Sequence, residues 1–311
     1  MANAQLERNK AVALRFKKSQ GTKDMPQVEK EVLAPGYNRV RGGSLHLANN
    51  ARDQDFPHPG MYLRNAFPDR VDIIEEVIAE GDRVGLLFRL TATHTGNFFG
   101  IPPTGRKVDV YELAMLRIVD GQMVEGWFMM DEIALLKQLG AKLPARSDGQ
   151  LIAPALPDTG EDADAFVQRL TSQPPASQQE RNKLIAARSR ASTHAKSDRA
   201  PDHRQRRNGF EHMREYCKTH ESRELALDAA IPDRRDRIDA LIAEGNRVWM
   251  RFSTNGTHEA SLCGIASTGR RVGVPVVSSM RFTDGKWTES WTFADELGLL
   301  LQLGSPNRLI E

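Results

Sequence analysis

AEGDRVGLLFRLTATHTG, residues 79–96, returns as AEGNRVWMRFSTNGTHEA at residues 243–260. The match extends in both directions. Phe67 to Gly140 aligns without a gap on Ile231 to Gly304, and 33 of the 74 positions are identical. Further upstream, Glu7-Arg8-Asn9-Lys10 recurs as Glu180-Arg181-Asn182-Lys183, with nine residues fewer between the two blocks. A period this long is that of one compact domain and not of a solenoid repeat. The chain therefore reads as a tandem duplication: domain 1 over residues 5–140, a linker over 141–179 and domain 2 over 180–305. What both copies keep is common design, and what one copy alone keeps points to where any chemistry sits.

Within the quoted stretch Val84, Leu86, Phe88, Leu90, Ala92 and His94 fall on one parity, which predicts a strand over 83–94. Pro102-Pro103-Thr104-Gly105 turns the chain into a second strand, Val108 to Val119. Asp120-Gly121 is a hairpin turn leading into a third, Met123 to Met130. Asp131 to Leu139 reads as a short helix closed by Gly140. Upstream, Leu6 to Phe16 and Met25 to Leu33 have helical spacing, the second stopping at Pro35-Gly36. Arg41 to Pro59 reads as loop. Pro68-Asp69-Arg70 is expected to open a helix with Val71, Ile74, Val77 and Ile78 on one face. Helices followed by an antiparallel meander give an α+β class, with helices packed on one face of a curved sheet.

Composition sets the outer limits. The chain has 311 residues, enough for about two domains, with 40% hydrophobic and 27% charged residues. A net charge of +2 implies neither nucleic acid nor membrane as partner. The first twenty residues lack the apolar core of a signal peptide, and no run reaches the length of a membrane span. A cytoplasmic soluble protein is expected. Cys217 and Cys263 match no metal-ligand spacing and read as free thiols, with one disulfide as the alternative. Residues 181–207 carry nine Lys or Arg; they read as a solvated face, the alternative being a patch for an anionic partner. Residues 163–170 within the linker can form a short helix.

The polar residues that both copies keep are the site candidates. His94/His258 lie on the apolar parity of their strand and are expected to point inward. Glu125/Glu289, Trp127/Trp291 and Asp131/Asp295 share a parity at the last strand and its end. Phe88 and Phe98 would wall the pocket. Each polar candidate has a plainer alternative: Asp131 as a helix N-cap, His94 bonded to a loop, Trp127 as core and Glu125 as a surface residue. Glu112 interrupts an apolar parity and must be paired or have its pKa raised if that face is internal; its counterpart is Val276.

Taken together, Phe67-Pro68-Asp69, Ala79-Glu80-Gly81-Asp82-Arg83-Val84, Thr93-His94-Thr95-Gly96, Gly100 to Arg106, Asp120-Gly121 and Gln138-Leu139-Gly140 resemble SnoaL-like polyketide cyclases. That family belongs to the cystatin-like, nuclear-transport-factor-two-like superfamily. Copy two departs from the pattern, with Glu259-Ala260 for Thr95-Gly96, Leu262-Cys263 for Phe98-Phe99 and Ala266-Ser267 for the two prolines. The resemblance implies a cone-shaped α+β barrel, usually dimeric through the outer face of its sheet. It implies a hydrophobic small-molecule ligand and ring closure by an intramolecular aldol step without metal or cofactor. It also implies a pocket aspartate as general acid/base, a role that falls on Asp131, with His94 as hydrogen-bond donor to the enolate. A non-catalytic tandem binding module is the alternative. The expectation is one working pocket in domain 1, with Asp295, His258 and Trp291 in a degenerate domain 2, and the two copies forming an intramolecular pseudo-dimer in a monomeric chain.

Overall fold

A computed structural model describes residues 2–41, 60–144, 153, 155, 159–192 and 198–310. The chain divides into two units, Met1–Leu151 with Pro306–Glu311, and Ile152–Ser305. The boundary falls inside the segment read as a linker.

The first unit opens with α1 (Ala2–Lys18) and α2 (Met25–Val32), followed by β1 (Leu33–Arg41). After a span outside the described residues, which holds nearly all of the loop expected over 41–59, come α3 (Gly60–Ala66), β2 (Val71–Glu80) and β3 (Arg83–Thr93). Then follow β4 (Lys107–Val119), β5 (Gln122–Met130) and α4 (Glu132–Leu139). The sheet order is β1-β5-β4-β3-β2, antiparallel except that β1 runs parallel to β5. Two strands were not foreseen. The helix ending at Val32 gives way to β1, and Pro35-Gly36 sit where that edge strand's register slips between Leu33 and Asn38.

The helix expected from Pro68 is instead β2. Its Val71, Ile73, Ile74, Val77 and Ile78 are β-branched and favour extended backbone. A bulge explains the misleading spacing: Ile74 pairs with Phe88 and Glu76 with Leu87, so Glu75 is extra. The inward parity then shifts from Asp72 and Ile74 to Val77 and Ala79, which imitates a helical period.

One face of the sheet packs on α1 and α2. Val84, Leu86, Phe88, Ala114, Leu116, Ile118, Met123 and Phe128 meet Ala13, Phe16, Val28 and Val32. Each large side chain buried there contributes about 1.5–3 kcal/mol. The opposite face is also buried, at Leu113, Met115, Trp127 and Met129.

The second unit repeats this order. Added at its start are β6 (Glu161–Asp162), which pairs with the sheet's edge, and α5 (Ala163–Thr171), the latter agreeing with the short helix expected there. Next come α6 (Gln178–Arg188), β7 (Arg199–Arg207), α7 (Glu211–Glu221) and α8 (Leu227–Ala230). The meander β8 (Arg235–Glu244), β9 (Arg247–Thr257), β10 (Arg271–Thr283) and β11 (Lys286–Ala294) ends in α9 (Glu296–Gln302). The order is β6-β8-β9-β10-β11-β7, with β7 parallel to β11. Both bulges recur at the matching places, Ile238/Ala240 for Ile74/Glu76 and Arg281/Phe282 for Arg117/Ile118.

Candidate functional site

The candidates read from the sequence do not converge. In β5, Phe128 pairs with Ala114 and Met130 with Glu112, so these even positions face the helices. Trp127 pairs with Met115 and lies on the opposite face, as does Glu125 opposite Arg117. Trp291 opposite Ser279 repeats this. The expectation of an inward Trp127 is corrected: residues 126–131 are all buried, so burial on both faces left parity without a pointer to the cone.

Asp131 is the N-cap of α4, its carboxylate accepting from the Ala134 N–H at 3.0 Å; Asp295 does the same for Gly298 at 2.7 Å. Neither lines the cavities inside the sheets. His94 is fully buried, its ring 5.2 Å from Phe67. Its Nδ1 accepts from the Thr104 N–H at 3.2 Å and meets the Thr104 hydroxyl at 3.0 Å. That leaves the proton on Nε2, which has no hydrogen-bond partner among the described residues, and burial lowers the pKa of the ring. His258 repeats the arrangement with Thr268. Phe98 packs against Phe67 and Phe99, away from the cavities. Phe88 lies in the core under the Lys17 ammonium, 3.7 Å from its ring centroid.

Glu112 is paired, and the pairing exposes what sequence reading missed. The Arg70 guanidinium donates to Glu112 Oε2 at 2.5 Å and to Asp72 Oδ1 at 2.7 Å. Lys17 Nζ reaches Asp72 Oδ2 at 2.8 Å. All four side chains are buried. Two cations and two anions thus fill the interior of the first unit. Burial outweighs the attraction of Asp72 and brings the Lys17 pKa down to about 8. The cavity left beside this cluster, lined by Lys17, Arg39, Arg64, Arg70, Phe67 and Phe128 among others, measures about 20 Å³, room for about one water. The signal was present in the repeat: Arg70-x-Asp72 returns as Arg234-x-Asp236, a spacing of two that puts both side chains on one face of a strand.

In the second unit the same positions are rearranged. Arg234 contacts Asp236 through Nε at 3.3 Å and Nη2 at 3.4 Å, and Arg190, at the place of Lys17, lies 3.6 Å from Asp236 Oδ2. Thr254 donates to Asp236 Oδ1 at 2.9 Å. Val276 replaces Glu112. The interior opens as a cavity of about 240 Å³, walled by Phe252, Val276, Met280 and Trp287 with the hydroxyls of Thr254, Ser278 and Thr292. Arg190, Arg199, Arg214 and Arg234 line it, and among the described residues no carboxylate or imidazole does. Two members of the basic stretch 181–207 therefore border this cavity, Arg190 half-buried and Arg199 exposed at its rim.

Among the described residues no three His, Cys, Asp or Glu side chains gather as metal ligands, and no helix is long and apolar enough to cross a membrane. Cys217 and Cys263 are buried thiols not joined in a disulfide, their sulfurs 3.4 Å apart, and burial pushes both pKa values up.

Comparison with known proteins now places the chain. The model of the SnoaL-like polyketide cyclase family matches residues 61–139 and 189–303, well over half the sequence. The chain belongs to that family. It is also 31% identical over 84 residues to the aklanonic acid methyl ester cyclase DnrD of Streptomyces peucetius; the match takes in 27% of this chain and 58% of that protein's length. Among solved structures it is similar to AclR from Streptomyces galilaeus, at 31% identity over 45% of this chain and 99% of the other, with a TM-score of 0.36. Wild-type IdmH from Streptomyces antibioticus is 24% identical over 43% of this chain and 99% of the other, with the same TM-score. The tandem α+β architecture of this SnoaL-like chain matches the two separate segments of the family model.

Proposed function

We propose that this SnoaL-like chain holds a small organic molecule inside the sheet of its second unit, as a binding member of the cyclase family. The observation that carries this reading is the cavity of about 240 Å³ inside the sheet of the second unit against about 20 Å³ at the matching place in the first. Its lining offers apolar walls and a few convergent polar groups, the usual make-up of a ligand pocket. An intramolecular aldol closure needs a base within reach of the acidic carbon. The second cavity offers only arginines, and the nearby Asp236 carboxylate is engaged by Arg234 and Thr254.

Aklanonic acid methyl ester, after which the Streptomyces peucetius relative is named, is the first compound to try. Trp287 in the cavity wall gives a fluorescence readout of binding. Thr292→Phe, which installs the residue that the first unit carries as Phe128, fills the space. Binding weakened by about tenfold or more in that variant, without turnover in the wild type, is the expected result. Binding unaffected by Thr292→Phe overturns the proposal.

A second reading, ring closure in the first unit, is favoured by one observation. Lys17 borders the small cavity with a pKa of about 8, so a fraction of it is a neutral amine at neutral pH and able to take a proton from an activated carbon. Turnover that survives Thr292→Phe and is lost in Lys17→Met selects this reading over the first.

A further inference from the structure

We infer that the cavity of the second unit takes an organic carboxylate: an anionic head held by Arg199 and Arg214 and an apolar body against Trp287 and Phe252. This rests on the reading of that cavity as the ligand site and adds the class of ligand.

The argument begins with charge. In the first unit each buried cation has its carboxylate, with Asp72 and Glu112 set against Lys17 and Arg70. In the second unit Val276 has removed one of the two acids. Asp236 is left to serve both Arg190 and Arg234, with Asp228 reaching Arg234 from the exposed rim. Two further cations are then added. The register puts Arg199 opposite Trp287, where Leu33 stands opposite Met123 in the first unit, so an apolar position has become charged. Arg214 comes from the first turns of α7.

Neither added arginine has a carboxylate within ion-pair distance among the described residues. Arg199 lies over the Trp287 ring at 4.5 Å, and Arg214 Nε donates to the Gly209 carbonyl at 3.1 Å. The crowding has a consequence at Arg190: burial lowers its pKa, Asp236 opposes this, and the charges of Arg234 and Arg199 lower it further. Arg190, Arg214 and Arg234 are half-buried and Arg199 is exposed at the rim, and with fewer carboxylates than cations around it the cavity attracts an entering anion.

The rest of the lining decides what kind of anion. A bare oxyanion would be met by polar groups on most sides. Here Phe210, Leu227, Phe252, Val276, Met280 and Trp287 make up much of the wall. The hydroxyls of Ser278 and Thr292, 3.0 Å from one another, sit where a carbonyl or hydroxyl on the ligand body would find a partner. A guanidinium held over the Trp287 ring at the cavity rim suits a carboxylate joined to an apolar body, the head meeting the fork and the body the apolar wall.

The test compares 3-hydroxy-2-naphthoate with its methyl ester, titrated calorimetrically into the full chain at low and high salt. The expected result is an acid preference of about tenfold or more that shrinks at high salt, with Arg199→Gln and Arg214→Gln each removing most of it. Thermal unfolding controls for folding, and loss of an unpaired cation is expected to leave the midpoint unchanged or raise it. Equal binding of acid and ester, both lost in Thr292→Phe, overturns the anion inference and leaves the pocket standing. Failure of both compounds to bind at millimolar concentration overturns the two together. Inorganic phosphate competing as well as the naphthoate overturns the organic-acid assignment.

Discussion

Arg70 and Arg234 occupy matching positions in two copies of one sheet, and they keep different company. Arg70 meets two buried carboxylates and helps to close the interior around a neutral cluster. Arg234 meets one buried carboxylate, Asp236, and the exposed Asp228, and across the sheet it finds Val276 instead of an acid. The loss of that carboxylate, the added arginines and Thr292 in place of Phe128 together separate a filled interior from an open, cationic one. The difference teaches that a fold's cavity can be traded for internal ion pairing without altering the order of the five matching strands, the bulges or the aspartate N-cap of the last helix, which the two units share.

The comparison breaks most directly at Glu112. Glu112→Val, which gives the first unit the residue of the second, strands Lys17 and Arg70 with one acid and is expected to cost about 3–5 kcal/mol by denaturant unfolding. Adding Lys17→Met removes one charge of each sign and should recover most of that loss. A single variant as stable as wild type would show that the cluster does not hold the first unit together.

Lys17 sharpens the contrast through pH. Its folded pKa of about 8 lies below its ordinary 10.5, so between those values the unfolded chain binds the extra proton. Stability therefore rises as pH increases through that window, by on the order of 3 kcal/mol from this group. The buried charge weighs against folding below about pH 8. Urea midpoints measured from pH 7.5 to 10.5 should climb in the wild type relative to Lys17→Met. A parallel pair of profiles would contradict the assignment.

The smallest effects are expected where the units agree. Asp131→Ala and Asp295→Ala each remove an N-cap and should cost about 1 kcal/mol, whereas Asp131→Asn, itself a good cap, should cost only a few tenths. Loss of turnover in a stably folded Asp131→Asn protein would return the catalytic role that the sequence assigned to this residue.

Much of the fold was legible because one parity of β3 and, apart from Glu112, of β4 is apolar and the turns that follow them carry Pro-Pro and Asp-Gly signals. The repeat then doubled every inference. The edge strand β1 was hidden because Pro35-Gly36 reads as a stop, and a parallel edge position tolerates both residues where the register slips. The site was less legible. Trp127 and Phe128 are adjacent, both aromatic and both buried, so nothing in the sequence says which faces the helices. Asp131 was visible as a cap and is one. Lys17, Arg70 and Asp72 come together only through tertiary packing of a helix end on a strand that had been read as a helix. Arg199 and Arg214 lay in a basic, half-divergent region without a counterpart motif to mark them.

The extra residue in β2 has a further consequence. Glu75 makes the strand change parity midway, so that Asp72 before it and Val77 after it both face the interior. The second copy inherited the same inserted residue, with Ile238 and Ala240 flanking it. A deletion of one codon there would leave every other amino acid in place and yet turn half of the strand inside out, exchanging Asp72 or Asp236 for a neighbour. The electrostatic character of each interior hangs on an odd-numbered count of residues, a mutational hazard built in before the gene was doubled and carried twice since.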